Sequence, residues 1–200
     1  METPPLPVDG CGGIIKTVLV PIADGTEEME AVIIIDILRR AGAKVTVASV
    51  GSTKAVKCSR GVVLVADALI SDCSNAFYNL IVLPGGQPGA RNLAECTELT
   101  DILLRHYAEN RPYAAICASP AVILQPLGLL RGRKATCHPN FVNQLEDQSA
   151  VDSRVVADGR CITSRGPGTA IDFSLTLVEL LFGPDKANEV AGPMVAGRRH

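Results

Sequence analysis

The feature that most constrains this chain is an alternation of short, largely apolar runs with longer segments of helical period. Thr17-Val18-Leu19-Val20-Pro21, Val45-Thr46-Val47-Ala48, Leu80-Ile81-Val82-Leu83 and Tyr113-Ala114-Ala115-Ile116-Cys117 have the length and composition of strands buried on both faces of a sheet. Residues 29–40 are apolar around most of a helical circumference. The spacing predicts a helix there, with Thr26 as N-cap, Glu27 and Glu28 favoured in the first turn by the helix dipole, and Gly42 closing it. Further helices are predicted near 90–95, over 101–109 with Thr100 as cap, over 119–127, and over 169–182 ending at Gly183. Residues 62–65 and 134–137 are weaker strand candidates, and Asp158-Gly159 between two apolar runs signals a tight hairpin. Strands alternating with helices require a mostly parallel sheet with helices on both faces, a three-layer α/β sandwich.

No repeat, linker or low-complexity segment divides residues 16–196, which read as one domain. Residues 1–15, rich in Pro and Gly, read as a flexible segment and 197–200 as a tail. Hydrophobic residues at 47% against 20% charged give a packed core and exclude disorder. A formal net charge of −2, with basic residues clustered only at Arg198-Arg199-His200, leaves no electrostatic footprint for nucleic acid. The longest apolar run, residues 31–35, is far too short to span a bilayer, so no membrane partner is expected. Seven cysteines without a Cys-x-x-Cys pair, and no signal-peptide pattern, point to a reducing compartment: the cytoplasm, with the nucleus as a second location. Cys137, His138 and a further cysteine lack the spacing of a zinc site, so no metal is expected.

In open α/β sheets, sites form beyond the carboxyl ends of strands. Cys117 ends a buried run and is followed by Pro120, which suits a first helical turn; this pattern resembles a nucleophile elbow, where a sharp turn presents the reactive atom above the sheet. A helix N-terminus there is expected to lower the thiol pKa. The competing reading is a small buried hydrophobe. Gly85 and Gly86 allow close backbone approach and, with the Ala118 amide, an oxyanion hole; the alternative is an ordinary turn. Arg165-Gly166-Pro167-Gly168 is a rigid loop suited to a pocket wall. Glu30 falls inside a very apolar helix, where a carboxyl needs a partner; beside a thiolate it is expected to keep its proton. His138 is a candidate base or a structural histidine, and His106 reads as structural.

Glu27-Glu28-Met29-Glu30, Leu83-Pro84-Gly85-Gly86, Ala115-Ile116-Cys117-Ala118 and Thr163-Ser164-Arg165-Gly166-Pro167-Gly168-Thr169 occur in the order and spacing of the ThiJ/PfpI superfamily. More narrowly, the chain resembles the branch of the parkinsonism-associated protein deglycase (DJ-one). Cys58-Ser59-Arg60 and residues 187–195 also match, so the resemblance covers about residues 16 to 195. It implies a flavodoxin-like, glutamine amidotransferase class I-like domain, a homodimer, a reactive Cys117, a partner Glu30, oxyanion amides at Gly86 and Ala118, and a nearby His138. Gly85, Arg60, Arg165 and Pro167 are the further expected substrate-binding residues.

The resemblance also implies activity. Members of the branch are glutathione-independent glyoxalases, converting methylglyoxal or glyoxal to lactate or glycolate without a cofactor, or deglycases of glycated proteins. The alternative is a peroxide-sensing, chaperone-like protector whose Cys117 becomes a sulfinate. A third reading is a scaffold acting through the apolar helix at 29–38. Some positions depart from the pattern. Ala118 replaces the histidine of protease-like members, which argues against peptidase activity. Ser119 stands where glycine is common and is expected to narrow the pocket. Val65 replaces a second oxidisable cysteine, and His138 is retained where some relatives lack it.

Overall fold

The computed structural model describes residues 15–197. The expected flexible segment at 1–15, apart from residue 15, and the tail beyond 197, with its Arg198-Arg199-His200 cluster, lie outside the described residues. Among the described residues nine strands and five α-helices follow in order: β1 (Thr17–Ile22), α1 (Glu28–Arg40), β2 (Lys44–Ser49), β3 (Ala55–Lys57), β4 (Val63–Val65), β5 (Ala68–Leu69), β6 (Leu80–Leu83), α2 (Gly89–Ala94), α3 (Thr97–Ala108), β7 (Tyr113–Ile116), β8 (Val155–Asp158), β9 (Cys161–Ser164), α4 (Ala170–Phe182) and α5 (Pro184–Ala191). The main sheet has the order β5-β2-β1-β6-β7-β9-β8, parallel except for the antiparallel β8–β9 pair. β3 and β4 form a separate antiparallel hairpin.

Side-chain alternation along the strands divides the core in two. Val18, Val20, Leu80, Val82, Ala114 and Ile116 face α1, α4 and α5. Leu19, Ile81, Leu83, Tyr113 and Ala115 face the layer that contains α2 and α3. The predicted mostly parallel sandwich with helices on both faces is thus the architecture observed. The strand order also places the switch between β1 and β6, so the loops leaving these neighbours diverge to form a crevice at their carboxyl ends.

Several local expectations are corrected. Thr26 is not the cap of α1: its Oγ1 accepts from the Ala23 amide and closes the preceding turn, while Glu27 is the N-cap, accepting from the Glu30 amide at 2.7 Å. α3 begins one turn before the expected Thr100 cap, at Thr97. Residues 134–137 are not a strand, because their link to β9 runs from the Thr136 amide to the side chain of Thr163 rather than through a backbone ladder. The hairpin turn is Gly159-Arg160, since Asp158 already pairs with Cys161. Residues 120–124 form a short π-type turn in place of the long helix expected over 119–127. Finally, the apolar circumference of residues 29–40 implies burial on more than one side, whereas α1 is covered on one side only: Met29 and Val32 are 55% and 45% exposed.

Candidate functional site

The crevice is built by three loops that lie on one another. After β1, the turn 23–27 is held by Thr26, and its Glu27 amide donates to the Gly85 carbonyl at 2.9 Å. After β6, Gly86 adopts φ +93, and a Cβ there would lie 2.3 Å from the Glu27 nitrogen, so only glycine lets these two loops touch. Gly85 is equally confined: a Cβ would lie 2.5 Å from Cys117 Cβ and 2.9 Å from Glu30 Oε2. After β7, Ser119 donates to the Pro84 carbonyl at 2.6 Å, which ties the Gly85-Gly86 loop to the residue that follows β7.

Cys117 sits at φ +65, a left-handed conformation that a non-glycine side chain adopts at a cost of about 1–2 kcal/mol. The surroundings enforce it. Its amide donates to the Ser164 carbonyl at 2.9 Å, and its carbonyl accepts from the His138 amide at 2.8 Å. The backbone is gripped from both sides, which turns the thiol toward Glu30 and the amides of Gly86 and Ala118.

Glu30 is fully buried in the first turns of α1. Oε2 accepts from the Gly85 amide at 2.7 Å, whereas Oε1 is buried without a well-formed partner and the carboxyl interacts with the Cys117 thiol. Burial pushes the carboxyl from 4.5 to about 7, against the lowering pull of the Gly85 amide. Burial, and then the Glu30 charge, push the thiol up from 9.0 to about 12, while the Gly86 and Ala118 amides draw it down. This corrects the expectation of a thiol lowered by a helix N-terminus, because only a five-residue turn follows it. The two groups titrate as a pair: two negative charges in contact in this apolar crevice are disfavoured, so the carboxyl gives up its proton only near pH 7 and the thiol keeps its own well above that.

The other predicted residues are arranged around this pair. His138 is linked to Cys117 through the backbone; its ring packs on Phe141 and approaches Gly166, and its Nδ1 accepts from the Asn140 amide at 3.3 Å. In the neutral ring that leaves the proton on Nε2, a donor. Arg165 and Pro167 follow β9, next to the carboxyl end of β7, and Arg165 Nε is buried without a partner. Arg60 is brought near through its backbone alone, its amide donating to Glu28 Oε1 at 2.8 Å while the residue stays exposed.

That bond exposes a residue whose role the sequence did not suggest. Glu28 is more than a dipole partner: its carboxylate also accepts from Ser59 Oγ at 2.8 Å and sews the 58–62 loop to the head of α1. Burial alone would raise it, yet these donors prevail and hold it below the usual carboxylate range. The contact spans 31 residues, and no local signal announces it.

Comparison with known proteins agrees with this geometry. Residues 16–180 match the DJ-1/PfpI family. Protein DJ-1 homolog B of Arabidopsis thaliana is 50% identical over 90% of this chain, which spans 41% of that protein's length. A Caenorhabditis elegans protein named glutathione-independent glyoxalase DJR-1.2 is 37% identical over 88% of this chain and 94% of its own. The solved structure titled Toxoplasma gondii DJ-1, oxidized, superposes with a TM-score of 0.90 at 46% identity, covering 92% of this chain and all of that one. A cysteine held at positive φ against a buried glutamate is thus set in a fold shared with these proteins, and the chain belongs to the DJ-1/PfpI family.

Proposed function

We propose that this chain is a cofactor-independent, glutathione-independent glyoxalase, with deglycation of protein-bound adducts as the same chemistry on a larger substrate. The observation that carries the reading is the contact of the Cys117 thiol with the buried Glu30 carboxyl and with the Gly86 and Ala118 amides. In the reactive form the proton lies on Glu30 and the charge on sulfur, where the Gly86 and Ala118 amides favour it. The thiolate adds to the aldehyde carbon of methylglyoxal. The resulting hemithioacetal oxygen is held by those amides and takes the proton from Glu30. Glu30, now ionised, removes the hydrogen from that carbon to give an enediol and returns it to the neighbouring carbon. His138 donates from Nε2 to the second oxygen as the enediol forms and takes a proton back from the first oxygen as that oxygen becomes the thioester carbonyl. Water then cleaves the thioester, releasing lactate and restoring the thiol.

Gly85, Arg165, Pro167 and the loop of Arg60 form the walls in this reading. Steady-state lactate formation from methylglyoxal without glutathione tests it: Cys117→Ser abolishes turnover, and an unchanged rate overturns the mechanism.

The family resemblance to a structure titled as oxidized supports a second reading, in which Cys117 is a peroxide sensor. The thiolate would be oxidised by one peroxide to sulfenate and by a second to sulfinate, releasing a water each time. Intact-mass analysis after mild peroxide treatment separates this from scattered damage: one dominant species with two added oxygens supports it. The proposal includes a homodimer in the cytoplasm or nucleus. Exposed Met29 and Val32 on α1, with Val62, Val63 and Val65 on and beside β4, offer the apolar surface for it. Sedimentation that finds a monomer overturns that part. Among the described residues no helix is long and apolar enough to cross a membrane.

A further inference from the structure

A second concave site lies at the opposite end of the sheet. Arg111 precedes β7, Arg160 precedes β9, and Arg133 stands in the loop that reaches the β8–β9 turn; all three line one cavity of about 240 Å³, walled by Tyr107 and Tyr113. Sites of open α/β sheets form at the carboxyl ends of strands. This cavity is at the amino ends, separated from Cys117 by the length of β7, about 13 Å at the usual rise of an extended chain.

Three arginines on the walls of one small space concentrate positive charge there and repel each other unless something negative lies among them. The protein supplies only part of that. Arg111 pairs with Glu109 and donates to the Tyr78 carbonyl, and its plane lies over Phe77 at 4.6 Å. Its Nε is nevertheless buried without a partner. Arg133 donates to the Asp158 carbonyl at 3.0 Å but is 3.9 Å from the Asp158 carboxylate. Arg160 has no ion pair among the described residues. Two acidic side chains thus face three arginines, and one positive charge is left over.

The carboxyl end of α3 also meets this cavity, and free carbonyls there would themselves attract cations. Three of them are already occupied: the carbonyls of Arg105, His106 and Tyr107 accept from the amides of Glu109, Arg111 and Asn110. The arginines are therefore not needed to satisfy the helix end. Guanidinium groups present a planar fork of N–H donors that matches tetrahedral oxyanions.

We propose that this cavity binds a compact phosphate anion, free or as the monoester of a small metabolite. At about 240 Å³ it falls below the usual range of about 300–1,000 Å³ for drug-sized ligands, which favours a single phosphate group over a nucleotide. The site is independent of Cys117.

Isothermal titration calorimetry at constant ionic strength, with sodium chloride replaced by inorganic phosphate or by glycerol 3-phosphate, tests the assignment. Saturable binding to the wild-type chain is expected. Arg160→Gln, at a side chain with no hydrogen bond or ion pair among the described residues, weakens it at least tenfold, and Arg133→Gln weakens it as well. Tighter binding of glycerol 3-phosphate assigns the site to a phosphorylated metabolite, and equal binding assigns it to the free ion. Heat that fails to saturate, or an Arg160→Gln variant that binds as tightly as wild type, overturns the proposal. The rate of Cys117 alkylation stays unchanged in Arg160→Gln and serves as the control for an intact fold.

Discussion

The two ends of β7 show how one sheet supports opposite kinds of polar burial. At the carboxyl end, Cys117 is held at positive φ against a carboxyl with an unsatisfied oxygen, and burial holds a proton on that carboxyl against the pull of the Gly85 amide. At the amino end, Tyr113 donates to the Leu129 carbonyl at 2.6 Å, and the buried His106 is bound through Nε2 to the Pro112 carbonyl at 2.6 Å. The first end stores strain and a labile proton; at the second Tyr113 Oη and His106 Nε2 are anchored on carbonyls, and the unpartnered buried atoms, His106 Nδ1 and Arg111 Nε, are nitrogens. The difference follows from which backbone groups are left over. The loops after β1, β6 and β7 diverge at the switch point and aim amides into the crevice, whereas the chain before β7 satisfies its carbonyls with nearby side chains.

The largest effect that separates the two ends is on turnover. Cys117→Ser is expected to lower lactate formation on the order of 10³-fold or more, because the nucleophile acts as a unit with its acid. Its midpoint of urea unfolding should stay close to wild type, since the hydroxyl is only slightly smaller than the thiol. Turnover that survives in this variant would remove the distinction between the ends.

Next comes pH, where the two ends carry opposite signs. Folded Glu30 keeps its proton up to about pH 7, whereas an unfolded carboxyl releases it near 4.5. The native state binds the extra proton in that window, so the contribution of Glu30 to stability falls as pH rises through it. For His106, burial lowers the ring from 6.5 to about 4, and the neighbouring Arg111 adds to this. Here the unfolded chain binds the extra proton, and the contribution falls as pH drops from 6.5 toward 4. Each displacement corresponds to about 3 kcal/mol. Between about pH 4.5 and 6.5 the two slopes cancel, and wild type should show a plateau in unfolding free energy. Glu30→Gln unmasks His106, so stability climbs from pH 4 to 6.5. His106→Gln unmasks Glu30, and stability declines from 4.5 to 7. Urea titrations at half-unit pH steps read both, and a Glu30→Gln profile as flat as wild type would show that the fold does not hold that proton.

How far each end could be read from the sequence differs for a physical reason. The strands were legible because runs such as Leu80-Ile81-Val82-Leu83 are buried on both faces and carry no competing period. The glycines and the Cys117 elbow were legible because close approach and positive φ restrict residue type strongly. The thiol pKa was not: its direction depends on burial and on the Glu30 charge, which outweigh the local dipole the sequence suggested. Nor was the anchoring by Glu28 of a loop 31 residues away, or the Thr136 contact that replaces a strand, since both arise from tertiary partners. The arginine cavity was missed because its three members come from separate loops, each an ordinary surface arginine in its own neighbourhood.

The finest discrimination comes from two bonds of equal length. Ser119→Ala removes the 2.6 Å donation to the Pro84 carbonyl, and Tyr113→Phe removes the 2.6 Å donation to the Leu129 carbonyl. Both acceptors are left unsatisfied in buried surroundings, and each variant is expected to lose about 1 kcal/mol of stability. Their kinetic effects should part. Ser119 is a positioning residue: without it the Gly85-Gly86 loop is free to drift from Cys117, and kcat should fall roughly tenfold with KM little changed, a fraction of what losing an oxyanion donor outright costs. Tyr113→Phe should leave kcat within twofold, since nothing at the amino end of β7 reaches the reacting atoms. If Tyr113→Phe slows kcat as much as Ser119→Ala, the strand transmits loosening along its length, and the two ends are one coupled unit rather than two independent sites.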